Sequence, residues 1–361
     1  MTMNEPSITV LSSFDWSVPG TPELICESAS HAGLAYHYFS KPTSIFKQVP
    51  ANWTCSEDTT LRNRLLFFGS KLARSKTLSK IQESLVLHQI KRSCSARALE
   101  NSTLFYTNLE SIGGILPKLK KSFGKLVYLC ADFSDLGEDF IMNTSLADKV
   151  LVIPKSMVEE VRKICGEKTE AFPQLASSFQ PRSVLSGRVQ QFLKEIPPPR
   201  IVYSGETGQR IDMELFSRTM KELKFCSFVS FHSGSFEKDE NFFKLPWLEK
   251  FEIFQVLENS QVGCMPYDVK ISHNLHCVPL KLFEYLQLGM PVVSTALINL
   301  DEFDPLVKIA NNSEEFIAYL KTAILEDPDA PERRKRIKIG QNHSTKNQAG
   351  RIKSIVCEVT K

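Results

Sequence analysis

The sequence predicts an α/β protein of two domains, each built on a mostly parallel sheet, and three observations support this. A chain of 361 residues is long enough for two domains with separate cores. Short apolar runs alternate with segments whose apolar residues recur every three or four positions, which is the pattern of strands separated by helices. A Pro-Pro-Pro run at residues 197–199 interrupts this alternation. We therefore place an N-terminal domain at 1–180, a linker at 181–199, a second domain at 200–335 and a C-terminal helical tail at 336–361.

Each predicted strand is short, rich in β-branched or aromatic residues, and bounded by turn residues. In the first domain the strands are residues 8–12, 34–39, 103–106, 126–130 and 150–153. In the second domain they are residues 201–204, 227–231, 261–265, 291–295 and 307–310, with helices at 212–223, 247–259, 279–288 and 313–325. Open parallel sheets bind ligands beyond the carboxyl ends of their strands, so we expect the two domains to face each other across a cleft.

The composition excludes several classes of protein. A hydrophobic fraction of 42% excludes a disordered chain, and no apolar run approaches the ~20 residues of a membrane-spanning helix. A net charge of +3 argues against a general nucleic-acid binder. Nine cysteines without a C-x-x-C pair indicate buried, reduced thiols. The N-terminus has no basic segment before an apolar stretch, so we predict no secretory signal and a cytoplasmic location.

The stretch 262–295 is the most informative part of the sequence. A strand is followed by a loop, by a helix with one Lys and one Glu near its start, and by a Gly-x-Pro turn into the next strand. The Lys-x-x-Glu-Tyr pattern of Lys281, Glu284 and Tyr285 resembles the nucleotide-sugar-binding motif of GT-B glycosyltransferases, particularly family 4 and its relatives. The resemblance implies two Rossmann-like domains and assigns these three residues to the donor site.

The physical chemistry of this helix start suits a diphosphate. A helix N-terminus offers unpaired N–H groups and a positive dipole end, and Lys281 adds a full charge. The carboxylate of Glu284, one turn further on, can accept hydrogen bonds from both ribose hydroxyls. The alternative is that both side chains belong to the solvated face of an amphipathic helix.

A second candidate donor element follows the strand predicted at 201–204. Gly205 allows close backbone approach, and Arg210 can pair with phosphate oxygens in a bidentate manner. The stretch resembles the first strand and loop of the GT-B donor domain. It is not a dinucleotide fingerprint, because Gly205 and Gly208 lack the G-x-G-x-x-G spacing. The alternative is an ordinary glycine turn beside a surface arginine.

One position departs from the family 4 pattern. Many retaining enzymes of that family carry a second Glu eight positions before the helix Glu, where this chain has His276. We take His276 as a candidate catalytic residue, and the choice between retention and inversion stays open. The His and Cys residues within 273–277 lack a further ligand cluster, and GT-B enzymes generally need no metal. We predict no metal and no cofactor, the nucleotide diphosphate sugar being a substrate.

Candidate acceptor-side residues lie in the first domain. Asp132 follows the predicted strand 126–130 and resembles the Asp-bearing strand end of bacterial exopolysaccharide glycosyltransferases such as the xanthan glucuronosyltransferase. In an inverting transfer it would be the general base, with Asp135 as the next candidate. The alternative is a cap of the following element. By the same resemblance, Asp15 and Trp16 border the acceptor.

Residues 61–93 carry eight Lys or Arg against a single acid, interleaved with apolar residues. A basic amphipathic segment is typical of a surface that lies on anionic lipid, so we predict peripheral attachment at the inner face of the cell membrane. A polyanionic acceptor is the other partner that this local charge would suit. The alternative is the solvated basic face of a core helix.

The resemblance thus implies a glycosyltransferase of the hexosyltransferase type, acting in polysaccharide or glycoconjugate synthesis. It would move a sugar from a nucleotide diphosphate to a saccharide acceptor, here predicted to be lipid-linked. A sugar-nucleotide epimerase shares the two-domain plan and would turn over the donor without an acceptor. A non-catalytic nucleotide-sugar-binding protein would bind the donor without transferring the sugar.

Overall fold

The structure is a computed structural model that describes most of the chain. The described residues are 6–12, 20–40, 60–64, 76–93, 99–107, 113–131, 136–205, 208, 210–231 and 240–358. The chain divides into two compact units, the first made of residues 1–175 and 345–361 and the second of residues 176–344. The described residues of each unit form one parallel sheet, so the predicted α/β class with two Rossmann-like domains is confirmed.

Seven described strands form the sheet of the first unit. They are β1 (Ser7–Ser12), β2 (Ala35–Ser40), β3 (Thr60–Arg64), β4 (Ser102–Tyr106), β5 (Lys125–Cys130), β6 (Lys149–Val152) and β7 (Thr169–Ala171). Their order in the sheet is β3-β2-β1-β4-β5-β6-β7, and every pair is parallel. The order reverses between β1 and β4, whose side chains are almost all buried because helices cover both faces of such a sheet.

Five described helices alternate with these strands. They are α1 (Thr21–His31), α2 (Lys76–Ser93), α3 (Leu116–Phe123), α4 (Glu138–Ser145) and α5 (Val158–Cys165). The apolar side of α3, with Leu116, Leu119 and Phe123, enters the same core as the inward side chains of β5 and β6. Gly124 ends α3 with a positive φ of 70°, a conformation that glycine adopts without strain.

The second unit repeats this plan, with six strands among its described residues. They are β8 (Arg200–Tyr203), β9 (Ser227–Phe231), β10 (Phe242–Leu245), β11 (Val262–Met265), β12 (Val292–Thr295) and β13 (Val307–Ala310). The sheet order is β10-β9-β8-β11-β12-β13, again all parallel, with the reversal between β8 and β11.

The remaining helices are α6 (Gly187–Glu195), α7 (Met213–Glu222), α8 (Lys250–Glu258), α9 (Ser272–Leu275), α10 (Leu280–Gln287), α11 (Ser313–Ile324), α12 (Pro331–Asn342) and α13 (Thr345–Glu358). Asp212 and Asn312 begin α7 and α11 by accepting a hydrogen bond from the backbone N–H three residues on, each at 2.9 Å. Among the described helices, none combines the length and the apolar character needed to cross a bilayer.

The division of the chain differs from the predicted domain limits in two places. The expected linker 181–199 contains α6 and lies within the second unit, because Ser186 binds Glu252 and Gln255 of α8. The expected tail 336–361 is divided between the units. Its first part lies in α12, which packs on α10, and its last part, α13, packs on α1 in the first unit.

Candidate functional site

The candidate site lies where the strand order of the second sheet reverses, at the carboxyl ends of β8 and β11. Gly205 follows β8 and Tyr267 follows β11. The two loops pair with each other, since Ile211 bridges Tyr267 and the Asp268 N–H donates to the Arg210 carbonyl at 3.0 Å. In open parallel sheets this reversal leaves a crevice in which ligands bind.

Lys281, in the first turn of α10, is held against aromatic rings. Its Nζ lies 3.7 Å from the centroid of the Tyr203 ring and 5.6 Å from that of Tyr267. It also occupies the space above Gly205, where an added Cβ would lie 2.5 Å from Nζ. Within the part of the chain that the structure describes, no carboxylate pairs with this ammonium group. Its charge is therefore available to an anion.

Arg210 approaches the same tyrosine. Its Cζ lies 5.6 Å from the centroid of the Tyr267 ring, and its Nε donates to Asn274 Oδ1 at 2.8 Å. Asn274 is fully buried and donates in turn to the carbonyls of Arg210 and Asp268, at 2.8 and 2.9 Å. A neutral amide thus orients the guanidinium group. As with Lys281, no carboxylate among the described residues neutralises it.

Two titratable groups beside these cations, Tyr267 and Cys264, favour their neutral forms. Burial raises the pKa of the Tyr267 phenol well above its usual value; the neighbouring Tyr203 adds to this effect, and Arg210 opposes it. Burial also raises the pKa of the Cys264 thiol to about 12, although Lys281 acts in the opposite direction. Two uncompensated positive charges at one crevice favour a ligand with more than one negative charge.

Tyr285 was predicted to bind the sugar donor, and the structure places its side chain in the core of the second unit. Its side chain is fully buried, and its hydroxyl accepts a hydrogen bond of 2.6 Å from the Ser204 N–H while donating to the Val202 carbonyl at 3.3 Å. Its ring packs where Gly263 leaves room, since a Cβ on Gly263 would lie 2.5 Å from the ring. Tyr285 therefore fixes α10 against β8 and β11 and so positions Lys281.

Glu284 is also buried, with a side chain 2% exposed. Its Oε1 pairs with Nζ of Lys250, the first residue of α8, whose side chain is 33% exposed. Like Lys281, Lys250 stands at the start of a helix that follows a strand of this sheet. A carboxylate offers about four lone-pair sites, so this pairing leaves acceptor capacity for ribose hydroxyls.

His276 directly follows α9, two residues beyond Asn274. Its carbonyl oxygen accepts a hydrogen bond of 2.7 Å from Asn299 Nδ2, which fixes the backbone at this point. Across the described residues, no three His, Cys, Asp or Glu side chains come together in an arrangement that could hold a metal ion. The catalytic role of His276 stays a prediction.

The first-domain candidates Asp132, Asp135, Asp15 and Trp16 lie outside the described residues. The strands before them are described: β1 ends at Ser12 and β5 at Cys130, at the carboxyl edge of the first sheet. Their roles remain predictions from the sequence.

Sequence reasoning missed three residues that shape the site, namely Tyr203, Asn274 and Lys250. Tyr203 was assigned only to a buried strand. Asn274 lies between two histidines that drew attention as possible ligands, and its short polar side chain carried no separate signal. Lys250 is a single lysine in a segment without a motif, and only the tertiary structure pairs it with Glu284.

Comparisons with known proteins bear on the fold. No protein-family model matches the sequence, and no curated protein matches it either. Solved structures do match. The sucrose-phosphate synthase of Thermosynechococcus elongatus aligns with a TM-score of 0.70 over 98% of this chain and 99% of that one, at 12% identity. The N-terminal domain of Candida albicans trehalose-6-phosphate phosphatase aligns with a TM-score of 0.69 over 99% and 97%, at 9% identity. The chain has the GT-B fold.

A third structure with this fold was solved with a ligand. It is the E. coli trehalose-6-phosphate structure bound with UDP-2-fluoro glucose, which aligns with a TM-score of 0.64 over 97% of this chain and 99% of that one, at 10% identity. The GT-B fold inferred from the sequence motif is thus confirmed over nearly the whole chain. At such identities the similarity concerns the fold and not the activity.

Proposed function

We propose that the second unit binds a nucleotide diphosphate sugar and that the chain transfers this sugar to a saccharide acceptor. One observation carries the proposal: Arg210 and Lys281, neither neutralised by a described carboxylate, both lie 5.6 Å from the Tyr267 ring at the strand-order reversal. Glycosyl transfer leaves a nucleoside diphosphate whose negative charge grows as the sugar departs. Fixed cations at the diphosphate stabilise that charge, and such preorganised electrostatics is usually the largest catalytic contribution.

The other site residues take roles consistent with this chemistry. Gly205 gives the diphosphate room beside Lys281, Glu284 accepts hydrogen bonds from the ribose, and Tyr285 holds the helix that carries both side chains. Because two cations already face the diphosphate, the transfer is proposed to need no metal ion. Asp132 is the proposed base for the acceptor hydroxyl, and His276 is proposed to face the donor sugar.

The donor and acceptor classes can be narrowed for testing. The neighbouring structure bound with UDP-2-fluoro glucose supports uridine diphosphate sugars as the first donors to screen. The neighbours named as sucrose-phosphate and trehalose-6-phosphate synthases support including hexose phosphates among the acceptors. The finer form of the proposal is a family 4-like enzyme, as the motif at 262–295 implies, that acts on a lipid-linked saccharide acceptor.

Calorimetric titration with uridine, guanosine and adenosine diphosphates tests the donor site. Charge-assisted hydrogen bonds contribute about 1.5–3 kcal/mol each. Lys281→Ala and Arg210→Ala should therefore each lower the affinity for the tightest-binding nucleoside diphosphate by ~10- to 100-fold. Lys224→Ala, which removes an exposed lysine of the same unit, is the matched control and should leave the affinity unchanged. Unaltered binding in both site variants would remove the donor site from this crevice.

Glu284→Gln separates the nucleoside from the diphosphate. It should weaken nucleoside diphosphates while leaving inorganic diphosphate unaffected, because only the former carries a ribose. A transfer assay with radiolabelled donor then tests the reaction itself. Donor turnover without an acceptor would instead indicate the epimerase, and tight binding without turnover would indicate a non-catalytic nucleotide-sugar-binding protein.

A further inference from the structure

The second unit contains a cavity of about 820 Å³ at the amino ends of two strands of its sheet, β12 and β13. Pro291 and Val292 lie at the amino end of β12, Leu306 and Lys308 at the amino end of β13, and the end of α11 with the start of α12 closes the remaining walls. The donor crevice is at the carboxyl ends of the strands, so this cavity is separate from it. Its volume is within the roughly 300–1,000 Å³ of small-molecule sites.

One side of the cavity is apolar. Pro291, Val292 and Leu306 form this side, and Tyr319 adds a ring. Leu325, at the end of α11, lines the cavity although its side chain is 83% exposed. An apolar side chain that is exposed beside an apolar cavity gains when a ligand removes both from water.

The charges on the walls are unevenly compensated. Arg336 is buried, pairs with Glu326 and donates to the Gly289 carbonyl at 3.0 Å, so these two opposite charges neutralise each other. Lys308 and Lys321 are exposed at the cavity, and no carboxylate among the described residues pairs with either. Glu332 also lines the cavity, and its Oε1 lies 3.9 Å from Nζ of Lys335 on the same helix. Outside the Arg336–Glu326 pair the wall therefore carries two lysines and one glutamate, and the balance is positive.

We propose that this cavity binds a small amphipathic anion as a second ligand of the chain. Its apolar body would pack on Pro291, Leu306 and Leu325, and its anionic group, a carboxylate, sulfonate or phosphate, would lie at Lys308 and Lys321. Charge complementarity selects an anion over a neutral molecule of the same shape, while the apolar wall selects it over inorganic phosphate.

Two dyes of nearly the same shape test the two halves of this proposal. Anilinonaphthalene sulfonate carries the anionic group and phenylnaphthylamine lacks it, and both fluoresce on entering an apolar site. Exposed ion pairs contribute about 0.2–1 kcal/mol each. The double variant Lys308→Gln/Lys321→Gln should therefore bind the sulfonate dye with about fivefold lower affinity and bind the neutral dye as the parent does. Lys221→Gln/Lys224→Gln, the same charge change on exposed lysines near the end of α7, should alter neither.

Replacing apolar wall residues tests the contribution of the apolar wall. Leu306→Asn and Leu325→Asn should weaken the binding of both dyes, and Leu325→Asn should keep the fold because the Leu325 side chain is exposed. Thermal unfolding checks that each variant is folded. The proposal is overturned if the lysine variant binds the sulfonate dye as the parent does, if Leu325→Asn changes neither dye, or if uridine diphosphate displaces the dye from the parent.

Discussion

The ammonium group of Lys281 rests on an aromatic ring and not on a carboxylate, which determines how strongly it attracts an anion. A carboxylate partner would cancel most of its field at the crevice. The Tyr203 ring, 3.7 Å from Nζ, holds the ammonium group by a cation–π contact and leaves its charge uncompensated. Tyr203 is in this sense a positioning residue for the proposed donor site.

Replacing Tyr203 tests that role. A cation–π contact contributes about 0.5–2 kcal/mol, so Tyr203→Leu should weaken nucleoside diphosphate binding by ~2- to 30-fold, whereas Tyr203→Phe keeps the ring and most of the affinity. Calorimetric titration measures both. In a Lys281→Met background the same Leu substitution should have no further effect on affinity, since the cation it positions is gone. An equal loss in both backgrounds would show that Tyr203 acts only through packing.

Asp132→Asn tests the proposed base. Asp132 follows the central strand β5, which ends at Cys130 on the carboxyl side of the first sheet. General-base assistance is typically a factor of ~100–10,000, so transfer should fall by that factor while diphosphate affinity stays unchanged. The assay pairs transfer rate with calorimetric titration. Transfer within a few-fold of the parent would leave Asp135 or His276 as the next candidates, and loss of folding would support the capping role.

At the scale of elements, one ion pair joins the first residue of α8 to the middle of α10. Glu284 is almost fully buried, so removing Lys250 leaves its carboxylate without compensation. Lys250→Met should lower the free energy of unfolding by up to about 3 kcal/mol, less than for a fully buried pair because Lys250 is partly solvated. Chemical denaturation measures this. The double variant Lys250→Met/Glu284→Gln should recover much of the loss, whereas Lys224→Met, an exposed control, should cost little.

If Lys250→Met denatures at the same concentration as the parent, the pair does not stabilise the junction of these helices. The pair also affects the proposed ribose contact, because Lys250 holds the carboxylate in place. The same variant should therefore weaken nucleoside diphosphates more than inorganic diphosphate, and this difference is independent of the stability change.

The strands that the sequence pattern missed share one physical property. Ten strands were predicted to within a residue or so of their limits. The three missed strands, Thr60–Arg64, Thr169–Ala171 and Phe242–Leu245, all lie at sheet edges. An edge strand pairs on one side only and needs no continuous apolar run, so β3 with its two arginines gives no strand signal. The fourth edge strand, β13, was predicted because three of its four residues are apolar, and the central strands, buried on both faces, give the clearest pattern.

Three residues of the candidate site could be named from the sequence alone, and their role in binding stays a prediction. Gly205, Arg210 and Lys281 were identified from local pattern, and the structure brings them to one crevice. The partners that orient them, Tyr203 and Asn274, belong to other segments, and their choice depends on strand order. Local sequence carries no information on which distant loop will contact which, so these contacts could not be derived from it.

At the scale of the whole molecule, the basic segment 61–93 is partly accounted for by packing. Val86 and Ile90 of α2 are fully buried in the core of the first unit, so some of its apolar residues serve the fold. The opposite face carries the exposed Lys80, Lys91 and Arg92.

The exposed face of α2 is geometrically suited to an anionic surface. Lys80 and Lys91 are eleven residues apart, about three helical turns, so they project in the same direction, as do Ile81 and Arg92. Ile81 is 46% exposed among these cations. A row of cations beside an exposed apolar side chain is typical of helices that lie in the headgroup region of a bilayer.

Membrane attachment through this face therefore remains our prediction for the whole chain. Each basic residue near an anionic surface contributes about 1 kcal/mol. The triple variant Lys80→Gln/Lys91→Gln/Arg92→Gln should therefore bind phosphatidylserine vesicles with roughly 100-fold lower affinity at low salt, as measured by sedimentation. Arg334→Gln/Lys335→Gln/Lys338→Gln removes the same charge from the exposed side of α12 and should retain binding. Added salt should release the parent protein, because it screens the attraction over about a Debye length. If the parent protein stays in the supernatant to the same extent with anionic and neutral vesicles at low salt, the attachment is rejected. If both triple variants lose the same affinity, the attraction depends on the net charge of the protein and not on this face of α2.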